Sequence, residues 1–296
     1  MAAVMNQQML FLTGCLCLAL AGGKALAQQD EAALANTLSK VYAQWREAMI
    51  RKNPQAWAAA ITSFRQTTIR NEIVSSKESF PAAVFAAPGE PPKTESMRLI
   101  EAQAAGATAH LVYFGKIEGG SANAPANEVL MKLKFGLEKG LWRYDSARVT
   151  DLDSSPEVLK ALREGHKPDL LDAPEFTPPG KMPPVPPLCR VPDFKGGLKL
   201  QSTGYQTRVF INGFTYDPVE NGLDQQLVLG GFMAGSNDIT LHIQPVSTPD
   251  GQKPIVRLRL YQIDLTKPEQ PAIEVLRWES PDTGAPKQVT LPFIVR

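Results

Sequence analysis

A histidine and a carboxylate facing one cavity form the simplest acid–base apparatus a chain can build, because the histidine changes protonation near neutral pH and a carboxylate beside it can orient it or share its proton. The three histidines here, His110, His166 and His242, are scattered along the chain. His110 alternates with Thr108, Val112 and Phe114, which places the four on one face of a strand. There it is either a structural histidine or a buried acid or base, if that face lines a cavity. Asp145 falls with Arg143 on the face opposite Trp142 and Tyr144. It is either neutralised by Arg143 or a pocket carboxylate. Trp142 and Tyr144 are either core or the walls of a ligand pocket. The candidate pocket is therefore His110, Trp142, Tyr144 and Asp145.

No residue is assigned a catalytic role. Spacing assembles no carboxylate pair, Ser-His-Asp set or hydrolase elbow, and no H-E-x-x-H, C-x-x-C or calcium-loop pattern occurs. Gly230-Gly231 is followed by no helix, so it is no phosphate loop. Neither a metal nor another cofactor is expected. Tyr205, Tyr261 and Trp278 are the candidate surface-binding residues, since carbohydrate-binding surfaces present coplanar aromatics; the alternative is scattered core packing.

The elements that would position these residues change character along the chain. After Asp30, a candidate cap, Leu34, Leu38, Val41, Tyr42, Trp45 and Met49 recur at steps of three and four, the pattern of an amphipathic helix. Asn53-Pro54 ends it and opens a second helix with Trp57, Ile61, Phe64 and Ile69 inward. A shorter helical piece is expected over Ser79–Ala87, stopped by Pro88-Gly89. The period then falls to two, predicting strands near Met97–Gln103, Thr108–Phe114, Val129–Leu137 and Leu141–Val149, followed by a short helix after Ser155-Pro156.

Helices followed by an antiparallel sheet ending in Gly140-Leu141-Trp142-Arg143-Tyr144-Asp145 resemble the nuclear transport factor and polyketide-cyclase-like superfamily. The resemblance implies helices packed into a cone-shaped sheet. Some members are isomerases, dehydratases or cyclases with Asp, His or Tyr in the cone, and others bind or dimerise without catalysis.

Downstream, every expected element is a strand. Tyr205–Ile211 alternates and runs into Asn212-Gly213, a type I′ hairpin signal, then Phe214-Thr215-Tyr216. Further strands are expected at Gln226–Leu229, Ile239–Pro245, Ile255–Asp264, Ile273–Glu279 and Val289–Val295, with Pro292 marking an edge or bulge. The V-F-I-N-G-F hairpin and the G-S-N-D-I-T-L-H-I strand entry resemble jelly-roll and immunoglobulin-like accessory modules of secreted bacterial proteins. The fold class expected is α+β, with helices on a curved antiparallel sheet, followed by an all-β sandwich.

Between the halves, Pro168–Pro192 holds nine of the 25 prolines. Prolines this dense fit neither a helix interior nor a central strand, and they predict a solvated, protease-sensitive polyproline II spacer. The expected division is a signal peptide over 1–27, a cone-like domain over 28–165, a linker over 166–192 and a sandwich over 193–296.

The apolar run from Met9 to about Ala21, ending in Ala25-Leu26-Ala27, fits a secretory signal and is too short to span a membrane. Leu12-Thr13-Gly14-Cys15 leaves a lipoprotein anchored through Cys15 as the alternative. Loss of Cys15 and Cys17 with the signal leaves Cys189 alone, a linker thiol open to intermolecular disulfides. The 31 basic residues lose Lys24, matching the 30 acidic ones. A neutral chain with neither half polarised argues against a nucleic-acid partner.

The leading expectation is a periplasmic or secreted, non-catalytic binding or assembly protein of a bacterial envelope. Its partner would be a protein or a glycan, or a second copy in a homodimer, and no transmembrane segment would remain after signal removal. An isomerase or lyase site in the cone, or polysaccharide binding by the sandwich, are the alternatives. Intact-mass analysis of the exported protein is expected to show a chain starting at Gln28; a diacylglyceryl group on Cys15 would establish the lipoprotein reading instead.

Overall fold

A computed structural model of the chain describes residues 10–86, 89–117, 128–263 and 271–296, with the backbone alone for residues 10–29. The side chains of Cys15, Cys17 and the Ala25–Ala27 cleavage motif, together with Pro88 and Asp264, lie outside the described residues. The helix expected from Asp30 is longer: α1 spans Leu10–Ile50, so Asp30 is internal rather than a cap. The Leu- and Ala-rich run before it contains strong helix formers and no proline. Along α1, Ala35, Leu38 and Tyr42 are buried and Val41 and Trp45 half-buried, the expected stripe. Among the described residues no helix is long and apolar enough to cross a membrane.

Helix α2 (Pro54–Ala60) starts as expected, with Asn53 Oδ1 accepting from the Ala56 amide at 3.0 Å. The single helix expected through Ile69 is interrupted. Ile61 makes a parallel bridge to Tyr144, and the Thr62 amide donates to the Tyr144 carbonyl at 2.8 Å. A new helix, α3 (Ser63–Ser75), then starts with Thr62 Oγ1 accepting from the Arg65 amide at 3.2 Å. The piece expected over Ser79–Ala87 is one 3₁₀ turn, Ala82–Phe85.

Strands β1 (Arg98–Ala105), β2 (Thr108–Gly115), β3 (Val129–Glu138) and β4 (Leu141–Asp151) form an antiparallel sheet in chain order. Lys139 and Gly140, at φ 52° and 79°, supply the two left-handed positions that a tight β3–β4 hairpin requires. Residues Thr108–Phe114 of β2 are all buried, so this strand needs cover on both faces. On one face Leu111, Tyr113, Met131, Leu133 and Phe135 pack with Leu38 and Tyr42 of α1. On the other, Val112, Phe114 and Leu130 pack with Leu152, Leu162 of α4 (Pro156–Arg163), Leu171 and Phe176.

That second cover corrects the expected spacer. Instead of a solvated run, residues Asp169–Asp172 and Pro174–Phe176 are 3₁₀ turns that bury Leu171 and Phe176. Further on, the Gly180 carbonyl accepts from the Ala107 amide and its amide donates to Thr108 Oγ1, both at 2.8 Å. The physical reason is the apolar residues between the prolines, which cover a sheet face that would otherwise meet water.

The chain divides into two units, Met1–Arg65 with Pro88–Pro184, and Gln66–Ala87 with Val185–Arg296. This differs from the 28–165, 166–192 and 193–296 division, because the proline stretch is shared between the units and residues 66–87 join the second. Within that second unit Pro186, Cys189 and Pro192 face inward at a three-residue period, while Val185, Leu188 and Val191 are exposed. Cys189 is only 4% exposed, so it is not the accessible linker thiol expected.

The second unit is built on β5 (Lys195–Ile211), joined by β6 (Phe214–Thr215), β7 (Val219–Leu227), β8 (Gly235–Pro245), β9 (Ile255–Ile263), β10 (Ile273–Glu279) and β11 (Gln288–Val295). The sheet order is β10-β9-β5-β8-β11, with β6 and β7 also paired to β5. Residues 195–203 of β5 pair with β9 and residues 205–210 with β8, the change falling at Gly204 (φ 70°). Leu198 and Leu200 before the bend share one core with Val209 and Ile211 after it.

Gly106 tests the packed proline stretch. It sits at φ +49°, and an added Cβ would lie 2.4 Å from the Gly180 carbonyl oxygen. Gly106→Ala is expected to destabilise by roughly 1–3 kcal/mol in urea denaturation, and to open residues 168–183 to limited proteolysis. An unchanged midpoint would mean that this stretch does not lie on the sheet.

Candidate functional site

The face of the β1–β4 sheet turned away from α1 is apolar at one end and polar at the other. Cross-strand pairing sets His110 of β2 opposite Lys134 of β3, and Lys134 opposite Ser146 of β4. Between Lys134/Ser146 and Phe135/Tyr144 the β3–β4 register slips, leaving Asp145 as the extra residue of a bulge. A bulge re-aims one side chain out of the alternation, and here it is the carboxylate. Asp145 Oδ1 accepts from Thr62 Oγ1 at 2.9 Å, and Oδ2 from Ser146 Oγ at 2.9 Å and Arg65 Nη2 at 3.3 Å. Three donors hold this carboxylate, which fixes its orientation.

His110 is buried, with Nε2 at 3.3 Å from Glu101 Oε1 of β1. Burial lowers its pKa, with Lys132 and Lys167 adding to the fall and Glu101 opposing it. The ring is therefore neutral at pH 7. An ionised carboxylate only accepts, so the ring proton sits on Nε2 and Nδ1 keeps a lone pair. Glu101 is held in turn by Lys167 Nζ at 2.9 Å, which also reaches Asp172. Lys132, 4% exposed, donates to the Glu175 carbonyl and lies 4.7 Å from the centre of the Phe176 ring. Burial pushes its pKa down.

These groups border a cleft of about 250 Å³. Thr108, His110, Lys132 and Lys134 form its floor, and Phe64, Arg65, Phe135 and Asp145 one wall. The other wall is the former spacer: Glu175, Thr177, Pro178, Pro179, Met182 and Pro183. Met182 also reaches the bare backbone of Gly136, where a Cβ would stand 2.4 Å from its sulfur.

Of the four pocket candidates, the structure brings His110 and Asp145 together in this cleft. Tyr144 and Trp142 pack on the α1 side instead, Tyr144 lying tilted against Trp45 with ring centres 4.2 Å apart. Asp145 pairs with Arg65; Arg143, the expected neutraliser, sits 3.5 Å from Glu138. The three surface aromatics do not share a face. Tyr205 and Trp278 pack against the second unit's core, and Tyr205 Oη accepts from the Ala285 amide at 3.1 Å. Tyr261 alternates with the core residues Leu258 and Leu260 and lies on the opposite side of β9.

Motif spacing does not single out Arg65, Lys132, Lys134 or the proline wall as site residues. The Lys132/Lys134 alternation against Met131, Leu133 and Phe135 was the available signal, since it puts two cations on the His110 face. Among the described residues no group of three His, Cys, Asp or Glu side chains could hold a metal ion. No family model, curated protein or solved structure matches the chain.

The His110 environment predicts a pH effect. Its folded pKa lies below the ordinary 6.5, so the unfolded chain takes up the proton first. The stabilisation is present above 6.5 and is lost as pH falls through that value toward the folded pKa. The melting temperature is expected to drop over roughly the first unit below that point, and to drop less in His110→Gln, which keeps a donor to Glu101. Identical pH profiles for the two proteins would remove His110 as the cause.

Proposed function

We propose that this chain is an exported, non-catalytic two-domain protein whose first unit binds a small molecule in the cleft under the proline wall. The supporting observation is the convergence of His110 and Asp145, from different strands, on one cavity closed by a stretch rich in rigid residues. Such a cavity, with a mainly apolar wall and a few fixed polar groups, has the character of a ligand site smaller than those for drug-sized molecules. Asp145 is engaged by three donors from the protein, which suits a structural acceptor that positions Thr62 and Arg65. In this reading the first unit is a variant of the cone-like α+β class and the second a β-sandwich serving assembly. Periplasmic or secreted location follows from the N-terminal apolar run and its A-x-A ending.

One observation favours the enzyme alternative: His110 is oriented by Glu101 and keeps an unprotonated nitrogen, the arrangement of a general base. A glycan role for the second unit has less support, since Tyr205, Tyr261 and Trp278 form no common platform.

A fragment screen by saturation-transfer NMR on the mature chain tests the binding reading. Hits are expected to perturb the amides of Thr108, His110 and Lys134, and to vanish in Thr177→Trp, which fills the cleft from an exposed wall position, at unchanged melting temperature. Binding that persists in Thr177→Trp would overturn the assignment. Conversion of any hit, stopped by His110→Gln without loss of stability, would replace the binding reading with the enzyme one.

A further inference from the structure

Inside the cleft most of the polar groups are already engaged by the protein. Asp145 already accepts from three donors, Lys132 is committed to the Glu175 carbonyl and the Phe176 ring, and His110 Nε2 faces Glu101, which leaves its Nδ1 as an acceptor. Two charged donors remain unengaged. Arg65 Nε is buried and has no hydrogen-bond partner among the described residues. A guanidinium N–H left in that state costs free energy until something accepts from it. Lys134 is exposed at the cleft floor, directly across from His110, with no ion pair or hydrogen bond among the described residues. The Glu175 carboxylate, on an exposed residue of the outer wall, is the one acidic group there without a fixed set of donors.

Apart from these, the walls are apolar: Phe64, Phe135, Met182 and three prolines. The volume of about 250 Å³ corresponds to about eight waters at roughly 30 Å³ each. We propose that the cleft takes a small organic monocarboxylate, its anionic head accepting from Arg65 Nε and Lys134 Nζ and its apolar body lying between the aromatic wall and the proline wall. This rests on the cleft being a binding site, as argued above, and goes further in naming what it binds. An anionic head held by two charged donors is favoured over its uncharged isostere, because charge-assisted bonds are shorter and stronger than neutral ones. The proline wall adds selectivity of shape, since rigid residues lose little freedom when the ligand closes the gap.

The experiment compares benzoate and phenylacetate with benzamide and phenylacetamide by chemical-shift titration of the full mature chain at pH 7.5. The carboxylates are expected to bind about tenfold more tightly than the matched amides, and only their binding should weaken as salt is raised. Lys134→Gln, at an exposed position, and Arg65→Lys, which keeps the charge facing Asp145 but removes Nε, are each expected to erase most of that preference while leaving amide binding unchanged. Equal binding of acids and amides would overturn the anion assignment and leave the cleft reading standing. Binding of neither class would overturn both, and a preference intact in both variants would remove Arg65 and Lys134 as its source.

Discussion

A sheet with apolar residues on both faces has to be covered twice, and that requirement shapes the first unit. Strand β2 is buried from Thr108 to Phe114, so neither face tolerates water. Helix α1 covers one side with a stripe that the 3.6-residue period provides. The other side is left to the chain after β4: α4, two 3₁₀ turns and the proline run. Leu171 and Phe176 each contribute about 1.5–3 kcal/mol by burial, an upper figure because unfolded chains already hide some apolar surface. Proline suits this role for a reason beyond hydrophobicity. A segment crossing a sheet face gains no ladder partners, and each ordinary residue would bring an amide needing one; proline brings none.

Covering the sheet in this way also creates the site. The apolar cover ends at Phe176, while the strands beneath continue through His110, Lys134 and Ser146, so the prolines pass over a polar floor instead of packing into it. The Asp145 bulge then turns a carboxylate toward the same gap, and the Thr62 kink between α2 and α3 delivers the donors that hold it. The kink and the bulge are one device. The Ile61–Tyr144 bridge and the Thr62-to-Tyr144 hydrogen bond fix the start of α3 against β4, which places Thr62 Oγ1 and Arg65 where Asp145 emerges. Without the register slip Asp145 would be a paired residue of the regular ladder.

Local pattern was readable in the sequence to the extent that it depends on period and turn chemistry. The stripe of α1, the Asn53 cap, the four-strand meander and the Lys139-Gly140 and Asn212-Gly213 turns all follow from neighbours within a few residues. Three features depended on partners far along the chain. The break at Ile61-Thr62 is set by Tyr144, which competes with helix continuation for the same backbone amide. The first half of β5, Lys195–Thr203, contains two glycines and two lysines and reads as weak strand, yet pairing on both edges, with β7 and β9, makes it central. For the site, spacing puts His110 on the correct face but gives no sign of its cover, because composition alone gives the covering residues the character of a spacer.

Composition misleads there because docking of a proline-rich strand turns on a few two-handed residues rather than on its average character. With so few amides of its own, such a strand is held where one group both donates and accepts. In the first unit that group is Gly180, whose amide and carbonyl bond Thr108 Oγ1 and the Ala107 amide. In the second it is Asn71, fully buried, with Nδ2 donating to the Pro187 carbonyl at 2.8 Å and Oδ1 accepting from the Cys189 amide at 3.0 Å. Both anchors sit beside inward apolar residues: Phe176 and Pro178 in one case, Cys189 and Pro192 in the other. An anchor alone would hold a swinging tether, and apolar contacts alone would let the strand slide. Together they fix its register. A fixed register is what lets Pro178, Pro179 and Pro183 serve as a rigid wall opposite Phe64 and Phe135 rather than as a spacer.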